Sequence, residues 1–419
     1  MENSSSKKIE YKIGLFLIFL YIFVTYVAVD ILIPTKVSSV FLYAFLAWGI
    51  LITILYAMNE PIPKYTLWYA AFMTISFLTM GYSKEFNILS GEFYLMIISF
   101  LLTFLFQIFI RDEKDFKRLC WFYAVSSFSL VLMLQFTGNL VGDASNRLGH
   151  EIMENANNFA ILIMIAVFYE LWLFVYGTKT LYVKIVLVAM IIYNMYALGL
   201  SAGRTFIVMP FVFLYILFLC KTNKKGKRNI ITYTIIFVLI VVGAYNIMMT
   251  NEVLYEAIGV RIESLIEGQQ DESELDNSSK VRDVMRSDAI KQWWERPFFG
   301  YGFDSYKYRA KDVVGELYYS HCNYTEMLYN GGVVLFIAYY WIYALILKEY
   351  KKRKSKSGKF CAFALASAIS LFVFDYGSVS YSIAQLQIVL CLALKTMSFE
   401  TEDNKYVEET ENGQIKNVD

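Results

Sequence analysis

Runs of about 20 apolar residues, each long enough to cross a hydrocarbon core of about 30 Å, recur along almost the whole chain and leave little choice of architecture. Twelve can be marked, near 13–33, 37–57, 65–81, 88–110, 119–138, 156–176, 181–200, 203–220, 230–250, 327–347, 360–376 and 380–397. A backbone inside lipid must satisfy its own hydrogen bonds, and a continuous apolar run does so as a helix. The expected fold is therefore all-α: a polytopic membrane protein of about 12 transmembrane helices with one large extracytoplasmic loop containing short helices. Composition agrees, because 57% hydrophobic and 18% charged residues are too apolar for a soluble chain of 419 residues to cover its surface. The third, eighth and eleventh runs are short, and the tight break between the seventh and eighth leaves room for a re-entrant pair.

The first run, Ile13 to Ile33 behind Lys7, Lys8 and Lys12, is too long for a signal-peptide core and lacks a small-residue cleavage site, so it reads as a retained helix. Alternate loops carry the positive charge: RDEKDFKR (111–118), KTNKKGKR (221–228) and KEYKKRKSKSGK (348–359). The bias of lysine and arginine toward cytoplasmic loops then puts both termini in the cytoplasm. It leaves 139–155 and the long 251–326 segment outside. The domain organisation that follows is helices one to nine in 1–250, the large extracytoplasmic loop in 251–326, helices ten to twelve in 327–397 and a polar cytoplasmic tail in 398–419. A net charge of +1 points to no nucleic-acid partner. The five cysteines form no CxxC pair, and four lie in or beside apolar runs, so neither a disulfide framework nor a zinc site is implied.

Inside the long loop, SSKVRDVMRSDAIKQWWERP (278–297) predicts a helix capped by Ser278 or Ser279 and stopped by Pro297, with Arg282, Arg286 and Trp293 on one face. The glycines of FFGYGF (298–303) suit a tight turn or a close backbone approach. One of only two histidines, His321, follows in YYSHCNY at the boundary of the tenth run. Arg204, in LSAGRTF (200–206), lies at the external junction of two runs, where an arginine is costly unless paired or bound to an anion. Each residue also has a structural reading. Arg204 can snorkel, Arg282 and Arg286 can be a solvated face beside Asp283 and Asp288, and His321 can be an interfacial hydrogen-bonder. Arg147 and His150 can be ordinary loop residues, and the Trp293–Trp294 and Tyr318–Tyr319 pairs an interfacial belt.

Taken together, they suit chemistry on a phosphorylated lipid. A pyrophosphate leaving group needs positive charge where negative charge develops, from a divalent metal or from arginine forks. Two separated histidines and external loops without a DxD argue against a protein-bound metal, which leaves Arg204 and Arg282. A nearby histidine can accept the proton of an attacking hydroxyl.

These residues fall in a recognisable order. An early helix arginine (Arg282) is followed by W-x-x-x-P-x-x-G-x-G (Trp293, Pro297, Gly300, Gly302), then H-x-N-Y (His321, Asn323, Tyr324), then the pair Gly331–Gly332. Two more patterns precede it: R-x-G before an N-x-N-N-x-A run (Arg147, Gly149, Asn155, Asn157, Asn158, Ala160), and S-x-G-R-T (Ser201, Gly203, Arg204, Thr205). Over about 139–335 the chain resembles the bacterial O-antigen ligase and O-antigen/capsular polysaccharide polymerase superfamily. The resemblance implies a metal-independent, inverting glycosyltransferase in the bacterial cytoplasmic membrane, needing no cofactor and acting at the outer face on glycans carried by undecaprenyl pyrophosphate. It implies pyrophosphate binding by Arg204 and Arg282 and proton abstraction by His321. Arg147, Arg286, Asn323, Tyr324 and Asp375 are its further substrate-site candidates. Partners implied are the lipid-linked glycans, membrane lipid, and a flippase and chain-length regulator of the same pathway. One departure stands out: many members read HNxY, whereas Cys322 follows His321 here.

The DYGSVSY stretch (375–381) looks like polymerase relatives, which favours joining of repeat units over ligation to an envelope acceptor. A flippase would not need a structured external loop carrying this histidine, and would show a repeat and more charge in its spans. A lipid-phosphate mannosyltransferase would carry paired acids in its first external loop, where Asp30 stands alone. A sensor or structural membrane protein would tolerate changes at His321 and the arginines.

Overall fold

A computed structural model describes residues 2–27, 35–57, 61–84, 91–143, 146–153, 155–222, 227–260, 262–263, 274–353 and 358–399. Among them there is no strand, and every apolar run coincides with a helix. In chain order the first nine are α1 (Glu2–Val27), α2 (Thr35–Ala57), α3 (Lys64–Met80), α4 (Glu92–Phe109), α5 (Glu113–Phe136), α6 (Ala156–Trp172), α7 (Leu181–Leu200), α8 (Arg204–Thr222) and α9 (Lys227–Thr250). The long loop contributes α10 (Glu274–Trp293) and α11 (Tyr306–Val314). α12 (Asn323–Lys352), α13 (Lys359–Phe374) and α14 (Ala384–Thr396) complete the set. Among the described residues, eight of the apolar helices are long and apolar enough to cross a membrane by length and composition, while those around Ser39–Ile54, Lys359–Phe374 and Ala384–Thr396 are shorter. Both helices flanking the tight break, α7 and α8, are among the eight. The polar tail beyond residue 399 lies outside the described residues, as does Asp30.

α6 is the central post. From Phe159 to Trp172 every residue is buried, which is why its sequence is apolar all round rather than striped. Its aromatic side chains stack on those of three neighbours: Tyr169 on Tyr123 at 4.5 Å, Phe168 on Phe213 at 4.4 Å and Trp172 on Phe360 at 5.8 Å between ring centroids. α9 is the opposite case, with no buried residue between Ile230 and Thr250, and its apolar surface is the kind that lipid covers.

The loops segregate to two ends. At one end the basic connections meet: Lys64 pairs with Glu349 at 2.7 Å, Lys359 pairs with Glu113, the Trp172 indole N–H donates to the Lys359 carbonyl, and Lys221 donates to the Val175 carbonyl. At the other end lie 139–143, 146–153, 201–203, the 281–323 part of the long loop and the α13–α14 turn, joined by contacts described below.

The loop helix departs from expectation at both ends. It starts at Glu274, so Ser278 and Ser279 sit within it rather than capping it. It stops at Trp293, one turn ahead of Pro297, because the residue before a proline avoids helical geometry. The Trp293 indole N–H instead donates to the Pro297 carbonyl at 3.0 Å. The short helix α11, ended by Gly315 in left-handed geometry (φ 86°), is one of the short loop helices expected, at a place the sequence did not mark.

The glycine-rich turn after α10 plugs a break in α12. Gly331 (φ −136°) and Gly332 (φ 62°, ψ −161°) leave helical geometry, which frees backbone groups that must find partners. Val333 and Val334 N–H donate to the Pro297 and Phe298 carbonyls, and Tyr301 and Gly302 N–H donate to the Tyr329 and Asn330 carbonyls at 2.9 and 2.8 Å. Two backbones this close exclude side chains: a Cβ on Gly332 would lie 2.3 Å from the Phe298 carbonyl carbon, and one on Gly300 2.4 Å from the Tyr329 oxygen. Gly332→Ala is therefore expected to cost more than about 2 kcal/mol, from left-handed strain plus overlap. Gly243→Ala, with no atom within 4 Å of its Cβ position, should be neutral. Thermal unfolding of the two full-length variants in detergent checks this; equal midpoints would show that the two backbones are not in close contact.

Candidate active site

The turn between α13 and α14 is where the segments at this end converge. Asp375, at the end of α13, is fully buried. Its Oδ2 accepts from the Tyr340 hydroxyl at 3.0 Å, the Tyr343 hydroxyl at 3.4 Å and the Asn323 amide at 3.5 Å, and its Oδ1 accepts from the Ser380 hydroxyl. Asn323, the first residue of α12, returns the contact. Its N–H donates to the Asp375 carbonyl at 2.7 Å and the Ser378 carbonyl at 3.2 Å, and its Oδ1 accepts the Ser380 N–H at 3.1 Å. Both side chains are thus spent on each other and on the turn. Tyr324 is engaged too, its hydroxyl donating to the Phe372 carbonyl and its ring stacking on Tyr340 at 5.1 Å.

This fastening sets the position of His321, two residues before Asn323. His321 has a left-handed backbone (φ 53°), which costs a non-glycine residue about 1–3 kcal/mol unless its surroundings over-determine it. Here they do: the Ser320 hydroxyl donates to the Cys322 carbonyl at 2.8 Å across it, and Asn323 is bonded to the α13–α14 turn after it. The ring is half-buried, 6.1 Å from that of Tyr318. Burial lowers its pKa to about 4, with further lowering by the Arg282 charge and then the Arg286 charge. A histidine held this way is neutral at ordinary pH and free to accept a proton.

Those two arginines come from α10, one turn apart. Arg286 lies 4.6 Å over the Tyr376 ring, donates to the Tyr376 carbonyl at 3.1 Å and pairs with Asp283 at 3.3 Å. It ties the loop helix to the α13–α14 turn. Arg282 acts on His321 through its charge.

The start of α8, which Arg204 begins, packs on the same turn. There the helix dipole adds to the arginine's positive charge and favours an anion. Its neighbour Thr205 packs against Gly377 so closely that a Cβ there would lie 2.5 Å from Oγ1, and Phe206 packs on Phe374 with rings 5.4 Å apart. Ahead of it Ala202 has a left-handed backbone (φ 54°). Arg147 holds this corner from the neighbouring loop, donating to the Ser201 carbonyl at 2.7 Å and the Asn157 side chain at 2.9 Å, while Leu148 N–H donates to the Leu200 carbonyl.

The structure therefore brings Arg282, Arg286 and His321 together beside one turn, and Arg204 adjoins Thr205, which packs on that turn. It gives Arg147, Asn323, Tyr324 and Asp375 contacts that support this arrangement. His150 is exposed. Cys322, where many relatives of the resembled family have asparagine, is buried and leads into α12. The sequence reading missed Tyr340, Tyr343 and Ser380, which surround Asp375; the first two lie in an apolar run and look like lipid-facing tyrosines until their hydroxyls are placed.

The chemistry of such a site is anion recognition beside a proton acceptor. Residues 186–340 match the family model described as O-antigen ligase, a span that includes Arg204, Arg282, Arg286 and His321 and excludes Arg147 and Asp375. No curated protein matches the chain. Over residues 186–340, about a third of its length, the chain is similar to the O-antigen ligase family, and its long apolar helices suit a multi-pass membrane protein.

Proposed function

We propose that the protein is a polysaccharide polymerase, a glycosyltransferase joining undecaprenyl-pyrophosphate-linked repeat units at the outer face of the bacterial cytoplasmic membrane. The observation that carries this reading is a half-buried histidine, pinned in strained backbone, next to arginines from a separate loop helix. The hydroxyl of an incoming lipid-linked unit attacks the anomeric carbon of the donor glycan. The bond from that carbon to the pyrophosphate oxygen breaks, the configuration inverts, and undecaprenyl pyrophosphate leaves. His321 takes the hydroxyl proton, while Arg204 and Arg282 meet the charge developing on the leaving group without a protein-bound metal. Arg286, Asn323 and Asp375 hold the α13–α14 turn, Arg147 holds the Arg204 corner, and Tyr324 anchors the start of α12.

On this reading residues 251–326 are the catalytic loop and the basic loops lie in the cytoplasm with both termini. A flippase and a chain-length regulator of the same pathway are the expected functional partners. The polymerase reading is favoured over the ligase reading by the DYGSVSY turn, the polymerase-like stretch, which Arg286, Thr205 and Asn323 all contact.

In cells lacking the native gene, His321→Ala at normal membrane level is expected to abolish long polymer and leave single lipid-linked repeats, visible as a collapsed glycan ladder. Polymer that still forms but stays on the carrier lipid identifies a ligase, and an unchanged ladder removes His321 as the base. Arg204→Ala and Arg282→Ala should each slow transfer on the order of 10²–10³-fold.

The pH dependence has a definite sign. Because the base works only when neutral and its pKa is lowered to about 4, kcat/KM should persist as pH falls and drop only near that value. Bound pyrophosphate offsets the arginine charge, so the acid limb of kcat should lie at higher pH. Acid limbs for both parameters near an unperturbed histidine value, about 6.5, would contradict the assignment.

A further inference from the structure

α12 carries two side chains, Glu326 and Asn330, that the reaction scheme above does not use. Both are fully buried and one helical turn apart, at the depth where an apolar run begins. Polar side chains in such a place are costly unless bonded, and both side chains here are bonded. The Glu326 Oε2 accepts the Ser320 N–H at 2.8 Å and its Oε1 accepts from the Asn330 amide at 3.1 Å. The Asn330 Oδ1 accepts the Ser305 and Tyr306 N–H groups at 3.1 and 3.0 Å. These two donors fix which way the Asn330 amide faces, since flipping it would set N–H against N–H.

The pair thus forms a short relay. At one end it grips Ser305–Tyr306, directly after the glycine turn that fills the break in α12. At the other it grips Ser320, the residue before His321. Asn323 and the α13–α14 turn restrain His321 from its other side.

We propose that Glu326 and Asn330 are positioning residues for His321, transmitting the docked geometry of the 297–306 turn to the backbone that aims the base. The proposal rests on His321 acting as the base. It predicts a dependence on donor and acceptor placement rather than on bulk. In Glu326→Gln the new amide faces the Asn330 amide, donor against donor. In Asn330→Asp two carboxyl groups face each other. In the double variant Glu326→Gln with Asn330→Asp, the Gln amide donates to the Asp carboxylate, the Asp still accepts from Ser305 and Tyr306, and the Gln oxygen still accepts from Ser320.

The test uses full-length protein in liposomes with lipid-linked glycan extracted from a strain lacking the gene. Each single variant should lose kcat on the order of 100-fold with KM little changed, as for a misplaced catalytic group. The acid limb should move to higher pH as His321 escapes its buried seat, and the double variant should regain both kcat and the wild-type limb. A double variant that recovers its thermal midpoint without recovering kcat would show a merely structural pair and overturn the proposal, as would a loss expressed in KM. His321→Ala run alongside keeps the two readings apart. Full turnover there removes the base assignment, whereas a silent exchange at 326 and 330 with an inactive His321→Ala removes only the positioning role.

Discussion

The mutual hydrogen bonding of Asn323 and Asp375 is the interaction on which the candidate site depends. It joins the start of α12 to the turn after α13, and that turn is what the loop helix and α8 also touch. Removing Asp375 would take an acceptor from Asn323, Ser380 and the two tyrosines at a buried site, at a cost of about 1–3 kcal/mol. The tyrosines around Asp375 add donors, so the carboxylate sits in a filled shell and not in an open one. This is why Asp375 is better understood as a fastening than as a contact to substrate.

The electrostatics suit an anion. Arginine beside a histidine works against the histidine's basicity, and Arg204 at a helix N-terminus adds charge where the dipole is already positive. In the proposed reaction these charges attract the pyrophosphate and then hand basicity back to His321 once they are neutralised.

Much of this was legible in the sequence, for identifiable reasons. Apolar runs produce helices because lipid permits little else, and two of the basic loops meet through Lys359 and Glu113. Arg204 stood out as an arginine at the external junction of two runs, His321 as one of only two histidines, and Arg282 by its place on one face of the loop helix. What stayed hidden were pairings across distance. Nothing in the order of residues says that Asp375 meets Asn323, or that Pro297 and Phe298 serve backbone freed at Gly331–Gly332. Glu326 and Asn330 did leave a trace, two polar residues one turn apart beside an apolar run, but their meaning needed the partners at Ser305 and Ser320. The short helix α11 left less, because a nine-residue polar segment has little periodicity to read.

The central claim is that glycosyl transfer from a pyrophosphate lipid occurs at this end of the molecule. The most direct measurement follows purified full-length protein in liposomes with extracted lipid-linked glycan, counting released polyprenyl pyrophosphate against new glycosidic bonds. The account predicts one release for each bond formed, and neither product with His321→Gln. Glycan crossing the bilayer with no pyrophosphate lipid released and no bond made would contradict it and point to a transporter.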